Sequence, residues 1–188
     1  MVKILFVCHG NICRSPMAEY VMKDLVKKAG LEDEFQIASA ATSREELGNP
    51  VYPPARRKLA EHGIGCAGHA ARQLVRADYD RWDLLIGMDG ANLRNMRRLF
   101  DGDAEGKCSL LLDHAAGRER PPREPRKAGR VGRGEARERS ESLPQAETEK
   151  SGLCFDEVAD PWYTGDFEAT WQDVLSGCQG LLAAATEG

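Results

Sequence analysis

The chain has 188 residues, 41% of them hydrophobic, and a formal net charge of −4. That length supports one compact domain with a proper core, and the charge balance argues against nucleic acid or an anionic membrane as a bulk partner. No run of about 18 apolar residues occurs, so no membrane span is expected. The 6 cysteines form no Cys-x-x-Cys pair and the 4 histidines show no ligand spacing, so free thiols are expected rather than a zinc site.

In chain order, Met1 to Val7 is too short for a secretion leader and lacks a cleavage site, so residues 3 to 7 read as a buried parallel strand and the location expected is cytoplasmic. Ser15-Pro16 opens a helix, with Ser15 as cap and Pro16 at the first helical position. Met17, Tyr20, Val21, Leu25 and Val26 follow at helical spacing, and Gly30 ends it. Phe35 to Ser39 is a second strand, Thr42 to Pro54 a turn-rich loop, and Ala55 to His62 a helix stopped by Gly63. Trp82 to Gly87 is a third strand, Asn92 to Leu99 a third helix, and Cys108 to Leu112 a fourth strand. Phe167 to Ala183 closes the order as a helix with Phe167, Trp171, Val174, Leu175, Cys178 and Leu182 on one stripe.

Strands alternating with helices predict an α/β fold: residues 1–188 as a single three-layer domain, a four-stranded parallel sheet flanked by helices. Ligands in such folds collect beyond the carboxyl ends of the strands. A charged segment interrupts this order at about 117–152. From Arg118 to Lys150 it carries ten basic and seven acidic residues and almost no large apolar side chain. It cannot bury enough surface to offset its ordering entropy, so a disordered insertion is expected there.

The segment with chemistry in it is Cys8-His9-Gly10-Asn11-Ile12-Cys13-Arg14-Ser15, between the first strand and a helix start. A short loop wound around one centre aims successive backbone N–H groups inward, and the helix behind it adds a positive end. Such a nest holds an anion. Gly10 permits backbone angles that other residues resist, and Asn11 tolerates left-handed geometry. Arg14 can fork two hydrogen bonds onto phosphate oxygens. Cys8 sits at the base of the cup, where the same positive field favours thiolate, the form that attacks phosphorus. A phosphate-binding loop after the first strand is therefore expected.

Val7 to Glu19, reading Val-Cys-His-Gly-Asn-Ile-Cys-Arg-Ser-Pro-Met-Ala-Glu, resembles the signature loop of the low-molecular-weight protein-tyrosine phosphatases. The likeness continues through Ser39 to Ser43, Gly48-Asn49-Pro50, His62-Gly63-Ile64, His69 to Gln73, Met88-Asp89 with Asn92-Leu93, and Asp160-Pro161-Trp162-Tyr163. It implies a phosphotyrosine protein as substrate, Cys8 as nucleophile through a phosphocysteine, Arg14 on the phosphate, Asp160 as general acid and base, and no cofactor or metal. It further implies that Asn11, Ser15, Ser39 and His69 hold the loop and orient the thiolate, with Ser15 donating to sulfur. In similar enzymes the cysteines matching Cys8 and Cys13 form a reversible disulfide that protects the nucleophile.

Trp162 and Tyr163 are expected as one wall of a slot suited to a flat phenyl ring, and Glu45 as the other, where better-known members often offer an aromatic residue. Ile12 bears on the choice of substrate. Related phosphoarginine phosphatases carry Thr at this loop position, and Ile12 has no hydroxyl. Protein-arginine phosphatase is the alternative. Arsenate reductase needs further cysteines that Trp82 to Arg98 lacks, and a binding module without turnover would lack one of Cys8, Arg14 and Asp160.

Overall fold

The first strand, β1 (Val2–Cys8), is buried from Ile4 to Cys8. An apolar run with no polar alternation suits a strand covered on both faces. Ile4, Phe6 and Cys8 point to one core, with Met17, Val21, Met22, Val174 and Cys178. Leu5 and Val7 point to the other, with Trp82, Leu85, Leu93 and Met96. Each fully buried Val, Leu, Ile, Phe or Met among them stabilises the fold by about 1.5–3 kcal/mol relative to exposure.

The structure, a computed structural model, describes residues 1–115 and 157–186. These fall in one compact unit built from Met1–Glu119 and Phe155–Gly188. The charged insertion expected at about 117–152 lies outside the described residues.

After β1 come α1 (Arg14–Lys28), β2 (Phe35–Ala41), α2 (Pro53–Glu61), α3 (Asp78–Arg81), β3 (Leu84–Gly87), α4 (Gly90–Leu99), β4 (Cys108–Leu110), α5 (Pro161–Thr164) and α6 (Phe167–Thr186). The four strands form one parallel sheet in the order β2-β1-β3-β4. Helices α1, α2 and α6 cover one face, and α3 and α4 the other. The fold is the three-layer α/β arrangement expected. The chain leaves β1 toward one side, then crosses to the other, so the carboxyl end of β1 is the switch point where such sheets hold ligands.

The elements differ from the sequence reading at their ends. Helix α1 begins at Arg14, and its capping residue, Cys13, makes no side-chain cap. Ser15 is therefore inside the first turn rather than the cap, and Pro16 is the third helical residue rather than the first. The strand expected from Trp82 starts at Leu84, because α3 ends just before it and Trp82 bonds back, N–H and indole both, to Asp78. The strand expected to reach Leu112 stops at Leu110, where Asp113 turns the chain into a 3₁₀ segment by accepting from the Leu110 N–H at 3.1 Å. Helix α4 starts two residues early because Asp89 caps it, accepting from the Asn92 N–H at 2.6 Å.

Candidate active site

Residues 8 to 15 wrap from the end of β1 into α1. The Cys8 and His9 carbonyls accept from the Thr42 and Ser43 N–H groups at 2.9 and 3.0 Å, and the Ile12 carbonyl from Tyr52 at 2.8 Å. The loop is thus clamped by the chain that follows β2. Asn11 has φ 58, a left-handed backbone. That conformation costs about 1–2 kcal/mol for most residues and least for Asn. Gly10, expected for its backbone freedom, does not have a positive φ; a side chain there would instead meet Glu46 Cγ at 3.2 Å. Its role is space, and the strained residue is its neighbour.

The Cys8 sulfur accepts two hydrogen bonds, from the Asn11 N–H at 3.2 Å and from Ser15 Oγ at 3.1 Å. Both stabilise negative charge on sulfur, as does the nearby start of α1. Beneath them lies a buried polar network. Asn11 Nδ2 donates to Ser15 Oγ at 3.0 Å and to Ser39 Oγ at 2.7 Å. Asn11 Oδ1 accepts from the Arg72 N–H at 3.1 Å, and the Asn11 carbonyl accepts from His69 Nε2 at 2.8 Å. Every hydrogen-bonding group of the Asn11 side chain and backbone named here is used, although the residue is wholly buried.

Arg14 is buried, and two carboxylates hold its fork. Nη1 donates to Asp89 Oδ2 and Nη2 pairs with Asp160 Oδ2, each at 2.7 Å. Burial pulls its pKa down, but the charges of Cys8, Asp160 and Asp89 outweigh that and raise it above the ordinary arginine value. Two of five N–H groups are so occupied, which leaves others for an anion. Asp160 also caps α5, its Oδ1 accepting from the Trp162 N–H at 3.1 Å. Burial, then the charges of Cys8 and Asp160, push the Cys13 thiol up to about 12.

Cys8, Cys13, Arg14 and Asp160 line a cavity of about 230 Å³, together with His9, Gly10, Ile12, Glu45, Glu46, Trp162 and Tyr163. Its mouth is open and aromatic on one side: Trp162 is 59% exposed, Tyr163 86%. Trp162 packs on Tyr52 at 5.6 Å between ring centres. On the other side Glu45 Oε2 lies 3.0 Å from His9 Nε2, both side chains largely exposed.

The structure thus gathers the residues singled out in the sequence into one place. Ser39, His69, Asn11 and Ser15 lie beneath the cavity and the rest line it. Three participants escaped the sequence reading. Asp89 holds Arg14, Glu46 fills the space beside Gly10, and Glu19 accepts from Ser39 under the loop. An Asp directly before a helical pattern is a readable cap signal. Glu19 closes the stretch that carries the family likeness without a role being readable there, and nothing local distinguishes Glu46 from other acidic residues.

The sequence profile of the family described as low molecular weight phosphotyrosine protein phosphatase matches residues 3–130. The low molecular weight protein-tyrosine-phosphatase YfkJ of Bacillus subtilis is 33% identical over 184 residues, 98% of this chain and 96% of that one. Its crystal structure matches with a TM-score of 0.76 over 100% of this chain and 96% of that chain. The crystal structure of SP-PTP, a low molecular weight protein tyrosine phosphatase from Streptococcus pyogenes, is 32% identical with a TM-score of 0.70, covering 98% of this chain and 93% of that one. The low molecular weight phosphotyrosine protein phosphatase of Rattus norvegicus is 45% identical over 109 residues, 58% of this chain and 68% of the relative.

Proposed function

The chain belongs to the low molecular weight phosphotyrosine protein phosphatase family, and from that premise we propose that it hydrolyses protein phosphotyrosine through a phosphocysteine on Cys8. The observation that carries the mechanism is a sulfur at the cavity floor accepting two hydrogen bonds, with the Arg14–Asp160 pair lining the same cavity.

The Cys8 thiolate attacks phosphorus in line with the tyrosine oxygen. Arg14 and the loop hold the equatorial oxygens, and Asp89 keeps the guanidinium turned toward them. Bound phosphate takes the place of Asp160 on Arg14, and Asp160, protonated in the substrate complex, gives that proton to the departing phenolate as the P–O bond breaks. Water then attacks the phosphocysteine, Asp160 takes a proton from that water, and the P–S bond breaks to restore the thiolate and release phosphate. Ser15 donates to the sulfur in both steps, so it stabilises Cys8 as attacker and as leaving group. Trp162 and Tyr163 flank the tyrosine ring, and Glu45 opposes acidic residues beside it. The site of action proposed is the cytoplasm; no described helix is long and apolar enough to cross a membrane.

The carboxylates of Glu45 and Glu46 at the cavity are the feature that favours the guanidinium of a phosphoarginine instead. Metal-free hydrolysis of matched phosphotyrosine and phosphoarginine peptides decides between them. We expect faster phosphotyrosine turnover, with Ile12→Thr shifting the ratio toward phosphoarginine. Dominant phosphoarginine turnover in the unmutated protein would overturn the substrate assignment. Cys13 sits at the same cavity and is the proposed resolving thiol: its sulfur attacks a Cys8 sulfenic acid, formed by peroxide, and expels water as the disulfide closes. Cys13→Ser should then recover activity after peroxide and thiol treatment less completely; equal recovery would contradict this role.

A further inference from the structure

Below the loop, α1 carries a carboxylate that the chemistry just described does not use. Glu19 is 7% exposed, and both its oxygens are occupied. Oε1 accepts from Lys23 Nζ and Oε2 from Ser39 Oγ, each at 2.5 Å. Lys23 reaches in from the surface, its side chain 44% exposed. Ser39 Oγ is the same atom that accepts from Asn11 Nδ2.

The direction of every hydrogen bond from Glu19 to Cys8 follows from what each group can do. A carboxylate only accepts, so the single Ser39 hydrogen points at Glu19. Ser39 can therefore meet Asn11 only as an acceptor, which the Asn11 amide nitrogen requires. The second hydrogen of that nitrogen goes to Ser15 Oγ at 3.0 Å. Ser15 has one hydrogen left, and it points to the Cys8 sulfur at 3.1 Å. The chain has an acceptor-only group at each end, a carboxylate and a thiolate, and donors aimed outward from Asn11. We infer that Glu19 is a positioning residue: by taking the Ser39 hydrogen it turns the Ser39 oxygen toward Asn11 Nδ2, and so anchors the amide that holds the Ser15 hydroxyl against the nucleophile.

Without an acceptor at position 19, the Ser39 hydrogen has no partner in a buried setting. A buried donor left unpaired is costly, and the network relieves it by turning Ser39 or moving Asn11. Either change loosens the Ser15 bond to sulfur. Glutamine is the informative contrast. Its one oxygen can face Ser39 while its amide faces Lys23, which can swing into water. Methionine has nearly the same shape and no such acceptor.

This role rests on Cys8 being the nucleophile, and the test keeps the two apart. Phosphotyrosine hydrolysis and the rate of Cys8 alkylation by iodoacetamide are measured in the full chain for the unmutated protein, Glu19→Gln, Glu19→Met and Ser39→Ala, with Cys8→Ser as the control for the nucleophile. In Glu19→Met, kcat and alkylation rate should fall on the order of tenfold or more, with KM changed less than about threefold. Glu19→Gln should lie within a few-fold of the unmutated protein, and adding Glu19→Met to Ser39→Ala should cause little further loss. A folded Glu19→Met protein with unmutated kcat would overturn the role while Cys8→Ser stays inactive, as would full additivity in the double variant. If Glu19→Met does not fold, Ser39→Ala alone decides: an unchanged kcat refutes the relay. Activity surviving in Cys8→Ser refutes the nucleophile instead.

Discussion

The floor and the mouth of the cavity are built on opposite terms. At the floor, Asn11 and Ser15 are fully buried, Ser39 nearly so, and their side chains bond to one another and to Cys8. At the mouth, Tyr163, Trp162, Glu45 and His9 stand largely in solvent, and the side-chain pair that joins two loops there, His9 with Glu45, joins exposed groups. Buried hydrogen bonds in a connected set are strong and mutually dependent, so the floor holds one geometry. Exposed ion pairs contribute about 0–1 kcal/mol and are screened by salt, so the mouth can be changed without disturbing the chemistry. On the proposed mechanism the reaction is set below, and the peptide around the phosphorylated residue is met above.

Three substitutions sharpen that contrast, in order of effect. Asp160→Asn removes the proposed proton donor and acceptor, and kcat/KM for a phosphotyrosine peptide should fall by about 10²–10⁴. The loss should shrink for p-nitrophenyl phosphate, whose leaving group needs less protonation. An equal loss of kcat/KM, which reads P–O cleavage, for both substrates would place Asp160 outside proton transfer to the leaving oxygen. Next is Asn11→Ala, which acts on the floor alone. It leaves alanine at φ 58, costing about 1–2 kcal/mol, and strips partners from Ser15, Ser39 and the Arg72 N–H. Chemical denaturation should show several kcal/mol of lost stability, with unpaired buried groups adding about 1–3 kcal/mol each. kcat should drop as well. Unchanged stability would mean the floor is not the rigid part. The smallest effect is at the mouth. Glu45→Gln should leave kcat and stability nearly unchanged and lower KM for acidic phosphopeptides by a few-fold at low salt, an effect that fades near 1 M salt. A change in kcat larger than that in KM would break the division between floor and mouth.

What could be read from the sequence divides along the same line. The loop was legible because its parts are contiguous: an apolar strand, Cys8 to Ser15, then a helical pattern. The strand-helix alternation gave the parallel sheet, and β1 places Cys8 at its switch point. Ser15 shows where local reasoning failed. A serine before a proline reads as a helix cap, yet its hydroxyl is committed to Cys8 and the helix starts two residues earlier than that cap implies, without a side-chain cap. Gly10 shows the same limit, since its need for space comes from Glu46, a residue 36 positions away in sequence. Glu19 and Asp89 reach the site only through the packing of α1 on β2 and the pairing of β1 with β3. No spacing in the chain encodes those contacts.

The central claim is that phosphorus passes through the Cys8 sulfur. The most direct measurement is to mix the protein with a peptide carrying radiolabelled phosphotyrosine, quench within the first turnover, and map the label by proteolysis. The account predicts label on the peptide containing Cys8, absent in Cys8→Ser and longer-lived in Asp160→Asn relative to its own turnover. Turnover that proceeds normally with no label trapped on the protein, or with label on another residue, would contradict it.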